Sequence, residues 1–297
     1  MTGDRPVLGI LLMLGFCVLA PLGDSIAKLL GSTIPLLQLL LVRFGLQAVL
    51  LLPYAAFKRI PMRMDRRLFW LTLLRTVLHI IGIGAMFSAL RFLPLADAIA
   101  IAFVMPFILL LLGKYVLGEE VGRRRLLACA VGFIGTLMVI QPSFAAVGWP
   151  ALLPLTVAVV FSLFMLVTRH IARDCDPIAL QAVSGMMAVP ILALFLLVPG
   201  EIELLSLVMP TATEMVLLFA IGVLGTMAHL LMTWSLRYAP AATVAPMQYL
   251  EIPVATVIGW LVFRDLPNGM AAFGIALTVA AGLYVILRER SVSRALA

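Results

Sequence analysis

Ten side chains carry most of the chemistry this sequence offers, and they sit inside long apolar runs. Asp24 and Lys28 stand at i and i+4, on one face of a helix, where a carboxylate and an ammonium can neutralise one another or act as a gate. Arg43 lies inside the next run, and Arg75 and His79 repeat the i, i+4 spacing in the third. A guanidinium keeps its charge and its planar fork matches a carboxylate, so Arg43, Arg75 and His79 are candidate ligands for an anionic group of a substrate. Structural roles, in which these arginines satisfy backbone carbonyls or pair with Asp24 or Asp97, read the same in sequence. His229 and Trp234 share a later run, and Gln248, Tyr249 and Glu251 follow, with Pro246 and Pro253 on either side. Prolines there should break the helix, and freed carbonyls are tolerated at membrane depth only beside protein or a wet cavity. Trp234, Gln248, Tyr249 and Glu251 therefore join the substrate-binding candidates. Glu251 is the expected proton carrier with His229 sharing the task, and Asp24 and Lys28 the expected gate. A salt bridge from Glu251 to Arg43 or Arg75, and a single packing hydrogen bond for His229, are the structural alternatives.

The elements that position these groups follow from composition. Of 297 residues, 64% are hydrophobic and 12% charged, with mean hydropathy +1.17, which excludes an ordinary soluble domain. About 20 apolar residues span the hydrocarbon, so the chain holds on the order of ten spans and no separate catalytic domain. Apolar runs place helices at 7–30, 34–57, 68–90, 94–116, 124–141, 149–170, 177–198, 213–236, 240–263 and 268–288. Ile34 to Val42 and Phe103 to Leu112 do not alternate, which excludes a transmembrane β-barrel. The first run continues past a signal-peptide core and holds Asp24 and Lys28, so it reads as a retained helix. Trp70, Trp149, Trp260 and Tyr115 fall near helix ends, as interfacial anchors do.

The net charge of +7 sits in short clusters between runs and reports topology rather than a nucleic-acid partner. Lys58, Arg59, Arg63, Arg66 and Arg67 follow helix 2; Arg123, Arg124 and Arg125 follow helix 4; Arg169 and Arg173 follow helix 6; Arg288, Arg290 and Arg294 are in the tail. The other side receives Arg91 and Arg264 with Glu201, Glu203 and Glu214. Both termini are expected in the cytoplasm, with the chain in the inner membrane. Cys17, Cys129 and Cys175 show no metal-ligand spacing, and no metal or cofactor is expected.

The chain also repeats itself. ALRFLPLADA at 89–98 lies over SLRYAPAATV at 235–244, bringing Arg91 onto Arg237 and Pro94 onto Pro240. The same register sets Gly113 on Gly259, Glu119 on Asp265, and Ala128, Gly132 and Thr136 on Gly274, Thr278 and Gly282. Two five-helix units, 1–142 and 143–297, follow. Because five is odd, the second enters from the opposite side, an inverted repeat suited to alternating access around a central site. Small residues spaced by four on helices 5 and 10 let backbones approach closely, either within the chain or across a homodimer.

These pieces resemble the drug/metabolite transporter superfamily, specifically its EamA-type ten-helix members. DSIAKLL at 24–30, VRF at 42–44, LRFLPLADAIAIAFVMP at 90–106, LGEEVGRRR at 117–125, GFIGTLMVIQP at 132–142, LRYAPAATVAPMQYLEIP at 236–253 and VFRDLP at 262–267 carry the likeness. It implies a secondary transporter of small organic metabolites, with helices 1 to 4 and 6 to 9 around a central cavity and helices 5 and 10 peripheral. A subgroup with acid and lysine in helix 1, arginines in helices 2 and 3 and histidine in helix 8 includes importers of adenosylmethionine-like compounds and exporters of amino-acid-derived metabolites, among them opine-type metallophores. Glu251 departs from the apolar or aromatic residue of many relatives. GEEVG at 118–122 lacks the lysine and hydroxyl of a phosphate-binding loop, and no HExxH or GxSxG is present, so neither an ATP-driven pump nor an enzyme is expected. The expectation is export of amino acids or their derivatives by proton antiport, with substrate and membrane lipid as partners. Import of an adenosylmethionine-like compound and lipid flipping are the alternatives.

Overall fold

The computed structural model describes residues 5–116, 118, 122–197 and 203–295. Glu119, the expected counterpart of Asp265, and Glu201 lie outside the described residues. The helices are α1 Pro6–Leu30, α2 Leu36–Phe57, α3 Arg66–Leu90, α4 in two pieces, Leu95–Ala102 and Met105–Val116, and α5 Arg123–Val147. They continue with α6 Leu153–Ile171, α7 Pro177–Leu194, α8 Ala212–Tyr238, α9 in several pieces between Ala241 and Phe263, and α10 Gly269–Ala295. Eight are long and apolar enough to cross a membrane, and the shorter apolar stretches Met247–Phe263 and Gly269–Tyr284 complete ten. The fold is an all-α membrane protein, with no strand among the described residues.

Local chemistry sets the helix starts. Asp65 accepts from the Leu68 amide at 2.7 Å and Asp176 from the Ile178 amide at 2.8 Å, each satisfying an amide the helix cannot. Thr211 and Glu214 form a reciprocal capping box at α8. Between the halves Gly148 adopts φ 70°, ψ −140°, a conformation that suits glycine. In α9, residues Ala245–Leu250 wind as a 3-10 helix and regular α-helix resumes at Glu251. The expected break at Pro253 is absent: Pro253 sits in the first turn of Glu251–Ile258, where a missing amide costs no internal bond.

Packing follows the repeat. α1 lies against α8 and its counterpart α6 against α3, while α2 packs on α7 and α5 on α10. Phe103 and Tyr249, which the repeat register superposes, meet each other with ring centroids 5.5 Å apart. The outward surface is apolar: Phe57 is 81% and Leu11 60% exposed, faces that hydrocarbon covers. Trp70, Tyr115, Trp149 and Trp260 are exposed as well.

The small-residue stripe is used within the chain. Thr278 Oγ1 donates to the carbonyls of Gly132 (3.2 Å) and Gly274 (2.9 Å), and a Cβ on Gly135 would meet Gly274 O at 2.5 Å. Contact between copies along α5 and α10 would have to use their outer faces. Gly135→Ala should lower the melting temperature in detergent, overpacking of this kind costing about 1–3 kcal/mol. Gly45→Ala, whose Cβ meets nothing within 4 Å, should leave it unchanged or raise it slightly.

Candidate functional site

A chamber lies between the two halves, walled by α1, α2, α3, α4, α6, α8 and α9. Most of the wall is apolar, with Phe16, Phe87, Phe103 and Phe161 prominent; Asp24, Arg43, His229 and Glu251 supply its charged and polar groups. Arg43 is 2%, His229 4% and Glu251 7% exposed. Among the described residues neither Asp24 nor Glu251 forms an ion pair. The space open to water-sized occupants is about 60 Å³, while a pocket that encloses a drug-sized ligand has roughly 300 Å³ or more.

Beneath the chamber, toward the ends of α3 and α6 that hold Arg66 and Ile171, the wall becomes a polar layer. Arg43 Nη2 reaches His229 Nδ1 at 2.8 Å and His79 Nε2 at 3.4 Å, and the rings of His79 and His229 lie against each other, tilted, with centroids 4.3 Å apart. One helical turn further, Arg75 is fully buried. Its Nε donates to Thr168 (2.8 Å), Nη1 to Ser184 (2.8 Å), and Nη2 to Gln181 (2.7 Å) and Thr233 (3.2 Å), with the Phe164 ring 4.5 Å from its Cζ. Arg75 thus binds α3 to α6, α7 and α8 through neutral oxygens and does not line the chamber.

The remaining candidates are dispersed. Tyr249 is held between glycines, its hydroxyl 3.1 Å from where a Cβ of Gly132 would stand and its Cβ 2.5 Å from that of Gly282, so it packs against α5 and α10. Gln248 Nε2 meets Met165 Sδ at 3.3 Å, and Trp234 packs on Leu51, Ala182 and Leu230. Gln248, Tyr249 and Trp234 are not on the chamber wall. The salt bridge from Glu251 to Arg43 or Arg75 does not form among the described residues.

Two stretches of the chain, residues 7–141 and 148–288, match the model of the EamA-like transporter family. The chain belongs to that family. It is 30% identical to a riboflavin transporter of Rhizobium johnstonii over 83% of this chain and 80% of that one. It is 22% identical to an S-adenosylmethionine uptake transporter of Rickettsia prowazekii, covering 90% and 89%. With a pseudopaline exporter of Pseudomonas aeruginosa it shares 25%, covering 91% and 90%. A solved crystal structure superposes with TM-score 0.68 at 18% identity, covering 97% of this chain and 98% of the other, which shows a common fold. This EamA-like chain is therefore a small-molecule transporter of the drug/metabolite type and not an enzyme.

The halves of this transporter are tied at both ends of the chamber. Asp24 and Lys28 do not pair: Lys28 Nζ reaches Asp265 Oδ2 at 3.1 Å and the Leu93 carbonyl at 3.0 Å, above the Phe263 ring. An i, i+4 pair contributes only about 0.2–0.5 kcal/mol, and at the last turn of α1 Lys28 finds a carboxylate and a carbonyl together, leaving Asp24 to the chamber. At the opposite end Asp174, which the repeat register superposes on Lys28, meets Arg67 across the halves at 3.7 Å. Arg91 and Arg237, also superposed, each donate to a carbonyl after the first helix of their own half, Ile34 and Cys175.

Asp265 entered the sequence reading as a repeat match and within VFRDLP but not as a site residue, and Gly225 and the four Arg75 acceptors escaped it, because each matters through a neighbour distant in sequence. Lys28→Glu should abolish most transport in proteoliposomes and Asp265→Lys should do the same. The double exchange should recover at least half of the wild-type rate; failure to recover would place Lys28's importance in the Leu93 carbonyl or the Phe263 ring.

Proposed function

We propose that this EamA-like protein carries amino acids or amino-acid-derived compounds outward across the bacterial inner membrane by proton-coupled alternating access. The observation that carries the reading is the pairing of unmet needs in one chamber: a buried Arg43 Nη1 without a partner and two carboxylates, Asp24 and Glu251, without an ion pair among the described residues. An α-amino acid has both missing partners. Its carboxylate suits the guanidinium, and its ammonium suits the carboxylate pair. A proton and an ammonium compete for the same carboxylate oxygens, and binding of one releases the other. Such competition is antiport, and with protons flowing inward it drives export. In this scheme both termini lie in the cytoplasm, a reading the basic clusters between the helices support.

A flavin is the second reading. It is favoured by the relatives named riboflavin transporter and by the four phenylalanines of the wall, which suit a flat aromatic ring.

Counterflow into proteoliposomes separates the two. Under the first reading, amino-acid and S-adenosylmethionine exchange is lost in Arg43→Ala by about tenfold or more, the scale of one charge-assisted hydrogen bond, while the corresponding carboxamides are little affected. Glu251→Gln, folded and inserted, loses exchange driven by a pH gradient. Riboflavin exchange that survives both substitutions would establish the second reading, and a Glu251→Gln protein with the wild-type pH profile would exclude Glu251 from coupling.

A further inference from the structure

The guanidinium of Arg43 is held from one side. Its Nη2 lies 2.8 Å from His229 Nδ1, 3.4 Å from His79 Nε2 and 3.4 Å from the Gly225 carbonyl oxygen, while Nη1 is buried with no partner. A guanidinium nitrogen only donates. His229 Nδ1 and His79 Nε2 must then accept, which puts the ring proton of His229 on Nε2 and that of His79 on Nδ1. Both of those nitrogens are themselves buried and without partners. His229 Nδ1 also lies 3.0 Å from the Gly225 carbonyl, but as an acceptor from Arg43 it has no hydrogen to give there.

The surroundings agree. The imidazoles meet at 4.3 Å, tilted by 41°, and their other neighbours are the rings of Phe16, Phe44, Phe161 and Phe164. The charged groups facing the pair are Arg43 from α2, Arg75 from α3, and Asp24 and Glu251 across the chamber from α1 and α9. A proton added on the nitrogen that faces Arg43 would be repelled by its guanidinium and would break the bond that holds it. The seat itself depends on glycine: a Cβ at residue 225 would come 2.9 Å from Arg43 Nε and 3.1 Å from Cζ and Nη2.

We infer that His229, His79 and Gly225 are positioning residues that fix Nη2 of Arg43 so that Nη1 is presented to the substrate's carboxylate, and that the histidines remain neutral while it is seated. The inference rests on the reading of Arg43 as the carboxylate ligand. It leaves the transported proton to the carboxylates. A guanidinium whose two Nη2 hydrogens are already engaged, one by His229 and the other shared between His79 and the Gly225 carbonyl, loses little further freedom when it binds, which is what preorganisation contributes to affinity.

The chain has three histidines, so nitrogen NMR of protein isotope-labelled at histidine and arginine in detergent is readable, with His170→Asn removing the third ring. The wild type should show two neutral rings across pH 6 to 8, protonated at Nε2 in His229 and at Nδ1 in His79. It should also show two separate Nη resonances for Arg43, identified by their loss in Arg43→Gln. In Gly225→Ala the Nη resonances should merge and the His229 tautomer should change; Arg43→Gln should change the tautomer in the same way. A charged ring or the opposite tautomer in the wild type, or averaged Nη signals, would overturn the inference whether or not the variants fold. These spectra need no substrate, so they can fail while Arg43-dependent counterflow holds, and the reverse.

Discussion

Two guanidiniums that keep their charge and lie out of reach of bulk water organise this transporter. A cation at that depth costs several kcal/mol unless neighbouring oxygens and nitrogens replace its hydration, and the chain meets the cost in two ways. Arg75 is answered by Thr168, Gln181, Ser184 and Thr233, so its burial binds four helices into one body. Arg43 is answered on one nitrogen only. The difference separates a residue that ties helices together from one with a nitrogen still unpartnered.

The two carboxylates complete the balance. Asp24 and Glu251 face a chamber whose walls are otherwise largely apolar, and low polarity strengthens whatever attraction a cationic group finds there. The repeat register superposes Met105 of α4 on Glu251 of α9, and both line the chamber. One half supplies a neutral, polarisable side chain where the other supplies the carboxylate, so symmetry of fold coexists with asymmetry of charge.

Much of the architecture was legible in the chain. Apolar runs of spanning length, the shared proline and arginine of ALRFLPLADA and SLRYAPAATV, and the lack of alternation led to ten helices, because membrane helices announce themselves by length and composition. The site was legible only in part. Asp24, Arg43, His229 and Glu251 stood out as polar groups in apolar surroundings, and they stand on the chamber wall. The same rule could not tell them from Arg75, Gln248 or Tyr249, because burial against neutral partners and burial against a cavity look alike until the helices are assembled. Spacing misled once: Asp24 and Lys28 share a face by register, yet Lys28 is drawn to Asp265 by a contact no local pattern encodes.

The end-to-end ties show how such a body can move. Arg91 and Arg237 bind each half to itself, whereas Lys28 with Asp265 and Arg67 with Asp174 join one half to the other. The two cross-half pairs are not equal. Lys28 is partly shielded and has a carbonyl as well as a carboxylate, while Arg67 and Asp174 are exposed at 61% and 46% of their side chains, where an ion pair contributes about 0–1 kcal/mol. Opening at the Arg67 end therefore breaks a weak tie but must also release helices that Arg75 binds together, and opening at the Lys28 end breaks a more shielded tie together with the reciprocal hydrogen bonds between the Gln38 side chain and the Val208 backbone. Resistance to opening is thus placed at a different depth on each side of the chamber, near the surface on one and beside Arg43 on the other.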